Sequence, residues 1–266
     1  MTAPILIFDS GVGGLSVVGA LRMHLPGAAL AYVCDNAALP YGTKPDAWLV
    51  ARIVTVCRAA VMASGARALV VACNTASTLA LHALRECLTV PVIGTVPAIK
   101  PAARVSRSGV FGLLATSATV SRPYTQRLIG EFAPQCTVIR LAADPLVAQA
   151  ERVLSGAPWD DVVIAASLAP LWDAPRLDTV VLGCTHFPLL REALERNAPR
   201  AITWIDSGDA IARRVAQLVA PEACASASDA SWASAPQQSG LVRVLSGYGF
   251  SAPHALSLPD DCSDSV

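Results

Sequence analysis

Short continuous apolar runs recur along the chain, each closing on Gly, Asp, Asn, Ser or Thr and most followed by a longer stretch of helical period. A run without alternation reads as a strand buried on both faces, and an intervening helix sets the next strand parallel to it. Residues 5–8 form the first such strand. Asp9-Ser10-Gly11-Val12-Gly13-Gly14 turns the chain into a stretch whose apolar residues Leu15, Val18, Leu21 and Met23 roughly follow a helical period. Residues 29–33 predict the second strand, and its exit, residues 34–45, is rich in turn formers around Pro40-Tyr41-Gly42. A long helical pattern to Ser64-Gly65, a strand running to Cys73, a helix from Asn74 and a strand over 90–94 complete a βαβαβαβ order. That order belongs to a doubly wound parallel sheet.

After a crossover at 95–101, containing Lys100, the pattern starts again. Residues 110–115 predict a strand ending at Thr116-Ser117-Ala118-Thr119, whose hydroxyls suit the cap of one helix carrying Ser121, Arg122 and Tyr124. A strand over 137–141, helical segments over 145–155 and 159–172, a strand running to Cys184, a helix over 188–197 and a strand over 201–205 follow. The last strand ends in Asp206-Ser207-Gly208, repeating the Asp-Ser-Gly after the first. The expected fold is two similar α/β domains with mainly parallel sheets and the active site in the cleft between them. The first domain would be discontinuous, 1–97 plus 207–266, and the second 98–206. The Ala- and Ser-rich segment 222–238 reads as a loop, 241–245 as a strand, and the final residues 260–266 as a mobile tail.

Composition narrows the function. The 266 residues are 53% hydrophobic, yet no uninterrupted apolar run approaches the roughly 18 residues of a membrane span. The first residues lack a basic leader, so a cytoplasmic location and no membrane partner are expected. Twenty basic and twenty acidic residues balance to zero, which indicates no nucleic-acid face and favours a small-molecule substrate. Eight cysteines without a C-x-x-C pair read as reduced thiols, with no metal site. The Gly-rich turn at 9–14 lacks the Lys-Ser/Thr ending of a phosphate loop and the G-x-G-x-x-G spacing.

Two stretches stand out. Ala68-Leu69-Val70-Val71-Ala72-Cys73-Asn74-Thr75 and Thr179-Val180-Val181-Leu182-Gly183-Cys184-Thr185-His186 each carry a thiol to the carboxyl end of a strand and into a helix start. There strand-to-helix loops converge on ligands, and a helix N-terminus or a nearby imidazolium favours thiolate. Cys34, Cys57, Cys87 and Cys136 read as packed core residues. His186 stands two residues from Cys184, as a thiol partner or as a residue packing its own loop. Asp9 suits either a turn-forming or a catalytic role, and Asp206 shares that ambiguity.

Phe8-Asp9-Ser10-Gly11-Val12-Gly13-Gly14, Pro40-Tyr41-Gly42, Cys73-Asn74-Thr75 and Gly183-Cys184-Thr185-His186, in that order, closely resemble the glutamate branch of the aspartate/glutamate racemase superfamily. The resemblance runs from Ile5 to about Val219. It implies an isomerase that interconverts L- and D-glutamate by two cysteine bases with no cofactor, neither pyridoxal phosphate nor metal. By position, Cys73 would serve the D-glutamate side and Cys184 the L side, assisted by Asp9 and His186 respectively. Ser10, Pro40, Tyr41, Gly42, Asn74, Thr75, Thr116, Thr119 and Thr185 would hold the substrate. Asp35 matches a further family carboxylate. Where many members carry an acid after Leu-Val, this chain has Ala148, and Glu151 one helical turn on is the accessory candidate. The resemblance further implies a homodimer that supplies D-glutamate for peptidoglycan, cell wall biogenesis and cell shape.

The chemistry agrees. An α-proton is weakly acidic, and a planar carbanion reprotonated from the opposite face needs two bases. With only Lys44 and Lys100, each followed by proline in an expected loop, a Schiff-base cofactor is disfavoured. The alternatives are another superfamily member, such as an aspartate or hydantoin racemase, and a small-molecule binding protein without turnover.

Overall fold

The computed structural model describes residues 3–219 and 229–259. The chain divides into two compact units, Met1–Thr95 with Gly208–Val266, and Val96–Ser207. The first holds a six-stranded sheet of β1 (Ile5–Asp9), β2 (Leu30–Cys34), β3 (Ala68–Val71), β4 (Val92–Gly94), β9 (Ala230–Ala233) and β10 (His254–Ala255). Their order is β10-β9-β2-β1-β3-β4, with each pair parallel. The three strands β1, β2 and β3 are buried at every residue, which is why they appear as unbroken apolar runs.

The helices of this unit are α1 (Leu15–His24), α2 (Asp46–Ser64), α3 (Asn74–Cys87), α10 (Gly208–Leu218) and α11 (Leu241–Gly247). Gly65 ends α2 in the left-handed conformation, φ 61°, that a glycine adopts without Cβ strain. By length and composition α2 could cross a membrane. Its stripe of Leu49, Ile53, Val56, Cys57 and Ala60 is buried in the core of this unit, and the helix packs against α3 and β1. The returning α10 packs on α1. Asp229 fixes the other return, pairing with Arg22 and accepting the Leu30 backbone N–H at 2.9 Å.

The second unit has a four-stranded sheet, β6-β5-β7-β8, built from β5 (Val110–Ala115), β6 (Thr137–Ala142), β7 (Thr179–Leu182) and β8 (Thr203–Ile205), again parallel throughout. Around it lie α4 (Ile99–Val105), α5 (Ser117–Ser121), α6 (Pro123–Phe132), α7 (Pro145–Leu154), α8 (Asp161–Trp172) and α9 (Arg191–Arg196). Leu114, Leu146, Ile164, Leu168, Leu182 and Phe187 are packed into one core under α7 and α8.

Five expectations are corrected. The segment 241–245 is helical, since a short apolar run does not by itself distinguish strand from helix. Within 222–238, residues 230–233 form β9, an alternately buried strand paired with β2, while 222–228 lie outside the described residues, as do the tail 260–266 and Cys224 and Cys262. The single helix expected after Thr116 is two, because Pro123 holds Arg122 extended at φ −67°, ψ 138°. The segment 188–197 begins as a 3₁₀ turn, Phe187–Leu190, before α9. Lys100 lies in α4 and not in a loop.

Candidate active site

In the first unit the chain leaves β1 towards β2 on one side and leaves β3 towards β4 on the other, so its connections diverge between the carboxyl ends of β1 and β3. A sheet opens at such a point and can admit a ligand. Asp9 and Ser10 come to it from β1, and Cys73, Asn74 and Thr75 from β3 and the start of α3. Cys73 is the extended N-cap of α3, with the positive end of a 14-residue helix beside its sulfur. It is 6% exposed, and its Sγ lies 3.6 Å from Ser10 Oγ.

Asn74 is 94% buried, being 6% exposed, and its Oδ1 has no hydrogen-bond partner among the described residues, the condition of a group placed to meet a ligand. Asp9 is fully buried and accepts the Gly11 N–H at 2.9 Å, so it shapes the turn whatever else it does. The turn is tight enough to require glycine. A Cβ on Gly14 would stand 2.9 Å from Asp9 Cβ and 3.0 Å from the hydroxyl of Tyr32. That hydroxyl donates to the Gly11 carbonyl at 2.9 Å.

The exit of β2 supplies a buried charge cluster. Asp35, fully buried, receives Arg52 Nε at 2.9 Å, Arg52 Nη2 at 2.7 Å and the Tyr41 hydroxyl at 2.8 Å. Burial, then the Asp35 charge and hydrogen bond, push the Tyr41 phenol well above its ordinary pKa, keeping it a proton donor. Pro40 and Gly42 are exposed, so of that segment only the tyrosine turns inward. Of the cysteines expected in the core, Cys34 and Cys57 are buried and Cys136 half-buried. Cys87 is exposed at the last residue of α3, where the helix end faces solvent.

The second unit repeats the divergence between β5 and β7. Thr116 caps α5 by accepting the Thr119 N–H at 3.4 Å, and its own hydroxyl donates to that of buried Thr119 at 3.1 Å. Gly183 crosses close to β5: a Cβ there would meet Leu113 Cδ1 at 2.9 Å, Ala115 Cβ at 3.0 Å and the Leu114 carbonyl at 3.3 Å. Cys184, 8% exposed, follows it, with Thr185 buried beside it. Cys184 Sγ lies 3.8 Å from His186 Nδ1, and His186 Nε2 lies 2.7 Å from Glu151 Oε1. Thiol, imidazole and carboxylate thus form a chain along which a proton can be passed and the ring held in orientation. Ala148 is exposed, and the next turn of α7 brings Glu151 to the histidine.

Asp206, the ambiguous carboxylate after β8, pairs with Arg191 at 3.3 Å. Among the described residues no three His, Cys, Asp or Glu side chains cluster as metal ligands would. Sequence reasoning overlooked Arg52, although a charge at a stripe position between Leu49 and Ile53 was a visible signal. It also overlooked Ser77 and Thr95, which both donate to the Val71 carbonyl, at 2.8 and 3.0 Å, and so fix the strand end before Cys73.

Comparison with known proteins bears on these two sites together. The family model described as Asp/Glu/hydantoin racemase matches residues 16–215. A glutamate racemase from Shewanella loihica is 47% identical over 252 residues, covering 94% of each chain. The crystal structure of Escherichia coli glutamate racemase with L-glutamate and the activator UDP-MurNAc-Ala superposes with a TM-score of 0.92 at 43% identity, over 97% of this chain and all of that one. The Thermus thermophilus glutamate racemase in complex with β-chloro-D-alanine gives 0.74 at 33% identity, over 97% of this chain and 96% of the other. With the family model spanning most of its length and these relatives covering nearly all of it, the chain belongs to the Asp/Glu/hydantoin racemase family.

Proposed function

We propose that this chain interconverts L- and D-glutamate by a two-base mechanism that uses Cys73 and Cys184 and no cofactor. The observation that carries the reading is the repeated arrangement: each sheet ends at its divergence point in one buried thiol surrounded by small polar residues. From L-glutamate, the Cys184 thiolate takes the α-proton, leaving a planar carbanion, and the Cys73 thiol gives its proton to the opposite face; the D substrate reverses the roles. His186, backed by Glu151, assists Cys184, and Asp9 assists Cys73. Ser10, Tyr41, Asn74, Thr75, Thr116, Thr119 and Thr185 serve as the polar groups that hold the substrate. Pro40 and Gly42 carry the Tyr41 loop.

Several features support this reading. The E. coli relative holds L-glutamate. The carbanion needs preorganised donors where a cofactor would otherwise take up charge, and the hydroxyl, amide and helix-start groups at β3–α3 are of that kind. Of the two lysines, Lys100 stands over the Phe132 ring at 5.2 Å. By family relationship we extend the proposal to a cytoplasmic homodimer supplying D-glutamate for peptidoglycan and so for cell shape. The activator in the E. coli complex, a nucleotide bearing muramic acid, supports the cell-wall connection.

The test is optical: decay of circular dichroism with L-glutamate, D-glutamate, L-aspartate and a hydantoin as separate substrates. Racemisation of glutamate alone is the expected result. Preference for aspartate or the hydantoin would move the chain to another branch of the family, and binding without turnover would make it a binding protein.

A further inference from the structure

Arg52 has no part in the chemistry above, yet its charge is sunk 17 residues from its partner in the core of the first unit. A guanidinium and a carboxylate are costly to desolvate, so a buried pair points to a role beyond stability. The Asp35 carboxylate holds the Tyr41 hydroxyl, and the turn carrying Tyr41 packs on α3, the helix capped by Cys73. The Tyr41 phenol feels the charges of both Asp35 and Cys73, and Cys57 on α2 feels the same two. Tyr41, Cys57 and Cys73 are packed in one buried core, with Asp35 on the Tyr41 hydroxyl, a low-dielectric setting in which an unpaired carboxylate would act strongly on a thiolate.

We propose that Arg52 is a positioning residue of the Cys73 site: its forked guanidinium neutralises Asp35, so that this carboxylate can hold Tyr41 without opposing a thiolate at Cys73. The proposal rests on the function proposed above, but it makes an electrostatic claim that can be read without turnover. The elements that build this side of the site bring Asp9 and Ser10 from β1, the latter at the Cys73 sulfur, Asp35 and Tyr41 after β2, Arg52 and Cys57 from α2, and Cys87 at the far end of α3. Among these Arg52 carries the cationic charge, and Asp9 and Asp35 the carboxylates.

The test follows alkylation of Cys73 by iodoacetamide against pH, read by mass spectrometry of its peptide, in the whole chain, with thermal melts to certify folding. Arg52→Gln, which exposes the Asp35 charge, should move the thiolate limb up by about one pH unit, a tenfold slower reaction at fixed pH. Asp35→Asn, which leaves the guanidinium alone, should move it down. The Asp35→Asn/Arg52→Gln pair should return it near the wild-type position, and Arg52→Lys should leave it there. Should Arg52→Gln not fold, Asp35→Asn alone still decides: an unmoved or raised limb overturns the proposal. Measuring racemisation on the same samples separates the two claims. Limbs that shift in a chain that does not racemise leave Arg52's role standing and remove the function; racemisation with unmoved limbs does the reverse.

Discussion

The two units build the same opening and furnish it differently. The first sheet diverges between β1 and β3 and the second between β5 and β7, and each delivers a buried cysteine there behind an apolar strand. At Cys73 the sulfur meets a hydroxyl and stands at a helix start, with the buried Asp35–Arg52 pair in the same unit. At Cys184 it meets an imidazole linked to a carboxylate, a chain that can itself take and return a proton. Topology therefore places a thiol at each opening, while the neighbouring elements furnish it: α2 brings Arg52 to Asp35 in the first unit, and α7 brings Glu151 to His186 in the second. A racemase acting on both enantiomers needs each thiol as acid and as base, and nothing requires the two to be tuned in the same way.

The comparison can be broken at its relay. His186→Asn should slow conversion of L-glutamate by about 100- to 1,000-fold, the scale of losing a positioned acid–base group, while hydrogen exchange into D-glutamate suffers less. Equal losses of solvent exchange into L- and D-glutamate would mean that the histidine does not belong to Cys184 alone. Gly183→Ala tests the packing that sets Cys184 in place. Its Cβ would press on Leu113, Ala115 and the Leu114 carbonyl, and overpacking of this kind should cost about 1–3 kcal/mol in urea unfolding. Gly14→Ala presses instead on Asp9 and Tyr32, so its penalty should appear in activity as well.

Glu151→Gln keeps a hydrogen-bond acceptor on His186 but removes the charge, and should lower turnover from L-glutamate by about 10- to 100-fold. Restoring an acid by Ala148→Glu in that background should recover little, since position 148 is exposed.

The smallest effect lies away from both thiols, at Asp178. Burial would raise its pKa, but hydrogen bonds from the Ser106 hydroxyl, the Ser108 N–H and the Thr179 hydroxyl hold it at about 2. A depressed folded pKa stabilises above the unfolded value near 3.8, and that stability is lost as pH falls through about 2. Asp178→Asn should therefore cost on the order of 1 kcal/mol at neutral pH, after allowance for solvent screening, and flatten stability between about pH 4 and 2.

What the sequence disclosed follows the range of the interactions concerned. Buried parallel strands announce themselves, so β5 was readable to its ends at 110 and 115, and Thr116 as a cap from the hydroxyls after it. Cys73 and Cys184 stood out because the switch from apolar run to helix start is local. Pairings across the chain were not legible. Asp35 with Arg52 and His186 with Glu151 join residues 17 and 35 positions apart, and only folding brings them together. The strand β9 is held by its ladder to β2, which Ala and Ser in its sequence do not advertise. The 241–247 helix follows Gly240 at φ 82°, a left-handed entry that an apolar run of this length does not foretell.

The central claim is that each thiol serves one face of the α-carbon. Its most direct test is uptake of solvent deuterium by L- and D-glutamate in heavy water with Cys73→Ala and Cys184→Ala. Racemisation should disappear in both variants, while Cys184→Ala still exchanges D-glutamate and Cys73→Ala still exchanges L-glutamate. Either variant racemising L-glutamate within about tenfold of the unaltered chain, a difference of only about 1.4 kcal/mol in barrier, would contradict the account.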